Sequence, residues 1–167
     1  EYSKIASNLL TTQLRSNVSV DLMSIEQVSF DEFMHSVPRF TMMGMFHADP
    51  QPGIQIVEMN PQICFQLVEI LCGSSEDNIF KDEVTKDYFT EIELAILEDV
   101  IRQFGDAFQH AWRDIIQLEV RMDSMENNSQ TIQAISPNEP VTLVTFTIEM
   151  MGDTSFMNLC IPYVFFE

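Results

Sequence analysis

A chain of 167 residues, 46% hydrophobic and 20% charged, is about the size of one domain and long enough to bury a sizeable core, which argues against disorder. Its 26 acidic and 8 basic side chains leave a formal net charge of −18, a balance that disfavours nucleic acid and anionic lipid and favours a basic protein partner. The longest apolar run, residues 63–71, is far short of the roughly 20 residues that span a bilayer, so no membrane insertion is expected.

The first part of the chain predicts a helix, a strand and a hairpin. Apolar residues recur at helical spacing over Tyr2–Leu14, and the alternation that starts at Val18 predicts a strand with one buried face. A turn is predicted at residues 29–33. Residues 38–46 and 53–59 are predicted as two strands, which pair as a hairpin because the segment between them is rich in Pro and Gly.

A second helix follows this hairpin. Asn60 is the expected N-cap with Pro61 in the first turn, and Gly73 is expected to end the helix after Leu71. Because its residues are apolar almost all round, part of this helix must meet a sheet or a partner. Residues 74–87 are polar and acidic, which predicts a surface loop.

The remaining residues repeat the same order of elements. Thr90 and Glu93 form a capping box for the longest helix, which is predicted to run to about Arg113. A strand is predicted around residues 118–123, a loop at 126–130, a short segment to residue 135 and a turn at 136–140. Residues 144–150 and 156–161 predict a second hairpin.

Each part of the chain thus gives a helix, a strand, a connection and a hairpin, and each leaves an apolar sheet face that needs covering. We predict a single α/β (α+β) domain over residues 1–167, with pseudo-repeats at about 1–85 and 86–167. Helices cover a shared, mainly antiparallel sheet, and a pseudo-twofold axis relates the repeats.

No residue pattern predicts a reaction centre. His35, His47 and His110 lie far apart, and none has a His or Cys at metal-ligand spacing. A Gly-x-Ser-x-Gly elbow and a glycine-rich phosphate loop are missing, since the five glycines are not grouped. Carboxylates such as Glu91 and Glu98 on the long helix are typical of a solvated helix face. We expect no enzyme activity, no cofactor and no metal.

The cysteines indicate the compartment. Cys64, Cys72 and Cys160 are odd in number and lie in apolar surroundings, which is typical of reduced core thiols in a cytosolic protein. No charged and apolar leader precedes Tyr2, so secretion is not indicated. The missing Met and the abrupt ends suggest a fragment of a longer protein.

Five segments, in order along almost the whole chain, carry a resemblance to a known family. They are residues 60–73 (from Asn60-Pro61 to Cys72-Gly73), residues 89–93 (Phe89-Thr90-Glu91-Ile92-Glu93), Ala111-Trp112, residues 136–139 (Ser136-Pro137-Asn138-Glu139) and residues 157–163 (from Met157-Asn158 to Pro162-Tyr163). Together they resemble the middle domain of the FliM family of bacterial flagellar motor switch proteins.

The resemblance implies a CheC-like fold with internal pseudo-symmetry. It implies a cytoplasmic component of the flagellar rotor (C ring), peripheral at the basal body on the inner face of the cell membrane. Its partners would be FliG and neighbouring FliM subunits, with self-contacts through the first and long helices, and its role would be to transmit the chemotactic signal for rotation direction. FliN or FliY and CheY would be reached through the parent protein, whose CheY-binding N-terminal segment and FliN-like C-terminal domain are absent from this chain.

The resemblance also implies a binding site for FliG. In the family a Gly-Gly-x-Gly loop after the second helix makes this contact, and the matching positions here keep only the first glycine, which alone visits φ > 0 freely. The helix before the loop would offer an apolar footing on its exposed side. The predicted FliG-binding residues are Phe65, Val68, Leu71, Gly73, Ser74, Ser75, Glu76 and Asp77. Gly73→Asp or Phe65→Glu is expected to weaken FliG binding and leave the fold intact. The alternative to a binding site is an ordinary helix end with core residues behind it.

Two other functions compete with this interpretation. CheC-type phosphatases that act on phosphorylated CheY use a Glu-x-x-Asn motif on the equivalent helices, but Ile5 precedes Asn8 on the first helix and Ile101 follows Glu98 on the long one. Each motif therefore lacks one member. A small-molecule sensor would rest only on 11 Met and 13 Phe residues, which more often form an adaptable core or contact surface.

Overall fold

The computed structural model describes residues 2–14, 18–71, 88–128, 135–150 and 152–166. The helices are α1 (Tyr2–Leu14), α2 (Phe30–Ser36), α3 (Pro61–Leu71) and α4 (Glu91–Trp112), followed at the end by a 3₁₀ helix (Tyr163–Phe166). The strands are β1 (Val18–Ser29), β2 (Phe40–Asp49), β3 (Gln55–Met59), β4 (Glu119–Asn128), β5 (Pro140–Met150) and β6 (Asp153–Pro162). Strand and helix order thus repeats along the chain.

The six strands form one sheet in the order β1-β5-β6-β3-β2-β4, and all the pairs are antiparallel. If β1, β2 and β3 are exchanged with β4, β5 and β6 respectively, the result is the same strand order read from the opposite edge. The pseudo-twofold axis therefore passes between the central strands β3 and β6. This arrangement confirms the predicted fold class, an antiparallel sheet with pseudo-twofold symmetry and covering helices.

The larger core lies between one face of the sheet and the helices α1, α3 and α4. Side chains of a strand point alternately to its two faces, so Met42 and Phe46 of β2 enter this core while Met43 and Met45 enter a smaller one. The short helix α2 covers the smaller core through Phe30 and other buried residues. The sheet is therefore covered by α1, α3 and α4 on one face and by α2 on the other.

Two glycines let α4 lie close to the sheet. A Cβ added to Gly44 on β2 would come within 2.5 Å of Ile101 Cγ2, and one added to Gly105 on α4 would come within 2.6 Å of the Phe46 ring. Neither distance is tolerated between real atoms, so both positions require glycine for packing. The sequence contains no local signal that distinguishes these two glycines from those in turns.

Most predicted elements are confirmed. The helix Tyr2–Leu14, both hairpins and the capping box at Thr90 and Glu93 are present. The predicted turn at residues 29–33 is wrong: Ser29 accepts a hydrogen bond from the Glu32 backbone amide and caps the helix α2. The predicted loop at 126–130 is wrong up to Asn128, because pairing with β2 extends β4 that far. The segment 129–134, the loop 74–87, Gly73 and Cys72 lie outside the described residues.

Candidate protein-binding site

Helix α3 begins as the sequence predicts. The Asn60 side-chain oxygen accepts a hydrogen bond of 2.9 Å from the Gln62 backbone amide, which makes Asn60 the N-cap, and Pro61 occupies the first turn. Asn60 is the single residue between this helix and the central strand β3, so the start of α3 is fixed by the middle of the sheet. The first turn of α3 therefore lies directly next to the end of the central strand.

The helix packs against its own domain on most sides. Ile63, Cys64 and Leu67 are at most 1% exposed, and Val68 is 8% exposed. Gln66 is 6% exposed, and its side-chain amide donates a hydrogen bond of 2.8 Å to the Asp153 carboxylate. Partly buried positions, among them Phe65, Ile70 and Leu71, also pack against the larger core.

An aromatic cluster holds the solvent side of the helix. The ring of Phe65 lies 4.9 Å from that of Phe89, which lies 4.8 Å from that of Phe40, and the rings are tilted against each other. Ring pairs at this distance each contribute about 0.5–1.5 kcal/mol beyond their buried area. The cluster joins α3, the first residues of β2 and the chain just before α4.

These contacts correct the expected exposure of the predicted site. Val68 is buried, and Phe65 and Leu71 are only partly exposed, so the apolar footing on α3 is smaller than the sequence suggests. Phe65→Glu would place a carboxylate among aromatic rings, so the expectation that this variant leaves the fold intact is not supported. Gly73, Ser74, Ser75, Glu76 and Asp77 lie outside the described residues, and their placement relative to α3 stays a prediction.

Beneath this region a polar network crosses the centre of the sheet. Glu58 is 3% exposed; its carboxylate accepts a hydrogen bond of 2.8 Å from the Asn158 side-chain amide. Thr41 Oγ1 lies 2.5 Å from the same carboxyl group and 2.9 Å from the Met59 carbonyl oxygen. A hydroxyl has one hydrogen, so at any moment Thr41 donates either to the Glu58 carboxyl group or to the Met59 carbonyl oxygen. The signal in the sequence is a lone Glu inside an apolar strand.

Glu58 gives a prediction for the dependence of stability on pH. Burial raises the pKa of its carboxyl group above the usual range, and the hydrogen bonds from Thr41 and Asn158 offset part of the increase. The folded state then binds the proton more tightly than the unfolded state, so this contribution to stability is complete below the ordinary pKa of 4.5 and is lost as the pH rises through the folded value.

Glu58→Gln keeps the shape and can donate to Thr41 while accepting from Asn158. We expect the variant to become more stable relative to the native chain as the pH rises above about 4.5, by about 1.4 kcal/mol for each unit by which the folded pKa is raised. Urea unfolding of both proteins at a series of pH values measures this difference. Subtracting one free energy of unfolding from the other cancels the contribution of the carboxylates that the two proteins share. A difference that is constant from pH 4 to 8 would contradict the assignment.

The described residues do not assemble a reaction centre. Their His, Cys, Asp and Glu side chains include no group of three or more that could hold a metal ion. His47 pairs with Asp123, His35 pairs with Asp31, and Cys64 and Cys160 are buried free thiols. No helix in these ranges is long and apolar enough to cross a lipid bilayer.

The positions that a CheY phosphatase would need are placed unfavourably. Ile101 is fully buried in the larger core and Ile5 is partly buried against it, whereas Asn8 is exposed. The Glu98 carboxylate is bound by Arg102 at 2.7 Å, one turn along α4. Both missing members of the Glu-x-x-Asn pairs are therefore replaced by isoleucines that pack inward.

The symmetric sheet with its covering helices is a CheC-like fold. The family model described as "Flagellar motor switch protein FliM" matches residues 2–167. The chain belongs to the FliM family of flagellar motor switch proteins, which confirms the resemblance found in the sequence.

Individual relatives agree with this assignment. The flagellar motor switch protein FliM of Borreliella burgdorferi is 32% identical over 99% of this chain and 46% of its own length. The FliM middle domain from H. pylori is 25% identical, with a TM-score of 0.86 over 98% of this chain and 87% of that one. FliM in the FliG-FliM complex from H. pylori is 26% identical, with a TM-score of 0.87 over 97% and 87% of the two chains. The chain thus spans about half the length of the curated relatives it matches.

Proposed function

We propose that this chain is a non-catalytic assembly and switch module of the flagellar rotor, the C ring, and that it binds FliG and neighbouring FliM subunits. The observation that carries the proposal is the likeness, at 26% identity and a TM-score of 0.87, to a FliM domain crystallised in complex with FliG. The net charge of −18 supports a role in which acidic surfaces meet basic regions of other proteins. In this role the module transmits the chemotactic signal for rotation direction.

The proposed FliG site is the C-terminal end of α3 with the residues that follow it. Leu71 and Phe65 supply partly exposed apolar surface, and Val68 is buried behind the helix face. Gly73 to Asp77, whose sequence matches the position of the family's contact loop, complete the proposed site. The direct connection of α3 to the central strand supports this site, because a contact surface on a rigid element loses little entropy on binding. The aromatic cluster around Phe89 holds the same helix in position.

Family membership supports a wider proposal for the chain and its parent protein. The pseudo-repeats, at about residues 1–85 and 86–167, form one middle domain, and α1 and α4 make the contacts between neighbouring copies. FliN or FliY and CheY are bound through other parts of the parent protein. The assembly lies in the cytoplasm, peripheral to the membrane at the flagellar basal body.

The chain has no enzymatic role in this proposal. The phosphatase alternative is disfavoured by Ile5 and Ile101, which pack toward the core where a catalytic carboxylate and amide would have to face CheY. The small-molecule alternative is also disfavoured, because many Met and Phe side chains, such as Met42, Met43 and Phe104, fill the two cores.

A substitution at the helix end tests the FliG site. Gly73→Asp adds a side chain and a charge to the contact loop, so we expect FliG to bind about tenfold or more weakly, as when an interface contact worth over 1 kcal/mol is lost. Isothermal titration calorimetry with FliG from the same organism measures the affinity. Gln117→Glu, which adds the same charge at an exposed position between α4 and β4, is the matched control and should leave binding unchanged. Equal affinities of Gly73→Asp and the native chain, with both folded by circular dichroism, would remove the site assignment.

A further inference from the structure

Strand β1 is an edge of the sheet and pairs with β5 alone among the described strands. Its first residues are closed off by α1. Ser7 Oγ accepts a hydrogen bond of 2.8 Å from the Val20 backbone amide, and Thr11 Oγ1 accepts one of 3.2 Å from the Val18 amide. These two hydroxyls satisfy the outward-facing backbone of β1 near its start, where another strand could otherwise pair.

The rest of this edge is open. Backbone groups of successive residues in an antiparallel edge strand point alternately toward the neighbouring strand and away from it. The backbone of Leu22 therefore faces outward, as the backbones of Val18 and Val20 do. A bulge between Leu22 and Ser24 shifts the alternation by one residue, which turns the backbone of Ile25 and Gln27 outward. In the part of the chain that the structure describes, no group bonds to these outward positions.

The same stretch exposes large apolar side chains. Leu22 is 54% exposed, Met23 60% and Ile25 62%. Three such residues within four positions on an edge strand are the kind of surface that proteins normally protect from water. Asp21 and Glu26 flank them, so the segment has an apolar centre between two acidic residues.

The charge around this edge is of one sign. Lys and Arg are missing from residues 16–38 and from residues 122–167, which contain β1, α2, β5 and β6. Asp21, Glu26 and Glu149 are exposed on β1 and β5 with no cation on either strand. The charged side chains on β1 and β5, the strands next to a partner strand at this edge, are therefore all acidic.

We propose that the open edge of β1, residues 21–27, binds an extended segment of another protein in which apolar residues alternate with Lys or Arg. The segment adds a strand to the sheet next to β1. Its backbone pairs with Leu22, Ile25 and Gln27, its apolar side chains cover the exposed ones, and its cations meet Asp21 and Glu26. Strand addition to an exposed edge is an established mode of peptide recognition.

A second copy of this chain is a poor occupant. Antiparallel pairing of two β1 strands that places Leu22 opposite Ile25 also places Asp21 opposite Glu26 at both ends, and like charges directly opposite are destabilising. The remaining segments of the chain do not supply the required pattern, since its two closest basic residues, Lys81 and Lys86, are five positions apart. The acids at the edge thus disfavour self-pairing in the register that matches these apolar residues, and they favour a basic strand.

A heptapeptide of alternating lysine and valine is the probe, with fluorescence anisotropy for affinity and hydrogen exchange for location. We expect binding that slows exchange at residues 22–27. Ile25→Lys should weaken it about tenfold or more, because it removes apolar contact and places like charges together. Ile92→Lys makes the same change at a residue of α4 that is 73% exposed, and it should reduce binding by less than about threefold through net charge alone.

A peptide methylated on the backbone nitrogens of alternate residues keeps the charge and loses the hydrogen bonds, and it should bind at least about tenfold more weakly. Equal binding of the methylated peptide, or equal losses in the two lysine variants, would show charge attraction without strand addition and overturn the proposal. Sedimentation of the chain alone supplies a further check. A dimer that Ile25→Lys dissociates would assign the edge to a second copy and would also overturn it.

Discussion

Replacing Gly105 with valine is expected to lower the free energy of unfolding by about 3 kcal/mol, the upper part of the usual range for overpacking a core. A Cβ at this position of α4 would lie 2.6 Å from Phe46 Cε1 and 3.3 Å from Val120 Cγ1. Phe46 is 3% exposed, so its ring cannot move aside into solvent. The helix must therefore shift away from the sheet. Urea unfolding followed by circular dichroism measures the change.

Ala95→Val is the matched control for this prediction. Ala95 lies on the exposed side of the same helix, so the substitution adds a β-branched residue without a packing conflict. Its cost should be the loss of helix propensity, about 0.5 kcal/mol. If both variants lost the same stability, the close approach of α4 to β2 would not be the reason that position 105 is glycine.

Phe89→Ala is expected to cost about 3 kcal/mol, since it empties the centre of the aromatic cluster beside α3. Phe89 is 7% exposed, and its ring lies within 5 Å of both Phe40 and Phe65, at 4.8 Å and 4.9 Å. Tyr88→Ala removes the neighbouring ring, which is 59% exposed, and should cost less than about 1 kcal/mol. Thermal or urea unfolding distinguishes the two. Similar losses at positions 88 and 89 would mean that the cluster does not stabilise this region.

The elements with local signals could be predicted from the sequence. The N-cap at Asn60 and the capping box at Thr90 and Glu93 involve residues at most three positions apart, so their geometry is set by neighbours in the chain. The two hairpins follow from alternation on either side of a turn. The short helix α2 also has a local signal, because Ser29 followed by Glu32 is a capping pattern. The helix has only two turns, so its apolar periodicity is too short to predict a helix by itself.

Features that depend on distant residues could not be predicted. β4 extends through Asn127 and Asn128, which have poor strand propensity, because pairing with β2 stabilises them. The burial of Phe65 depends on Phe40 and Phe89, each more than twenty positions away, and the apolar pattern of α3 alone does not reveal which side they cover. The start of the open edge of β1 depends on which backbone amides bond to Ser7 and Thr11 of α1, and these are the amides of Val20 and Val18.

The candidate site shows the same division. The sequence predicts that α3 is an apolar helix that must be covered by a sheet or a partner, and the resemblance implies FliG as that partner. Packing within the domain accounts for most of that apolar surface, including Val68, so the proposed contact with FliG would depend on the helix end and the residues after it. The family resemblance therefore contributes more to the site assignment than the exposed area of α3 does.

Hydrogen exchange of the chain, free and saturated with FliG, tests whether the end of α3 contacts FliG. We expect FliG to slow exchange at the end of α3 and at residues 72–77, while the amides of β1 exchange as in the free chain. Peptide-level mass spectrometry resolves these segments. Unchanged exchange from Pro61 to residue 77, together with protection on another element, would contradict the proposed contact between this helix end and FliG.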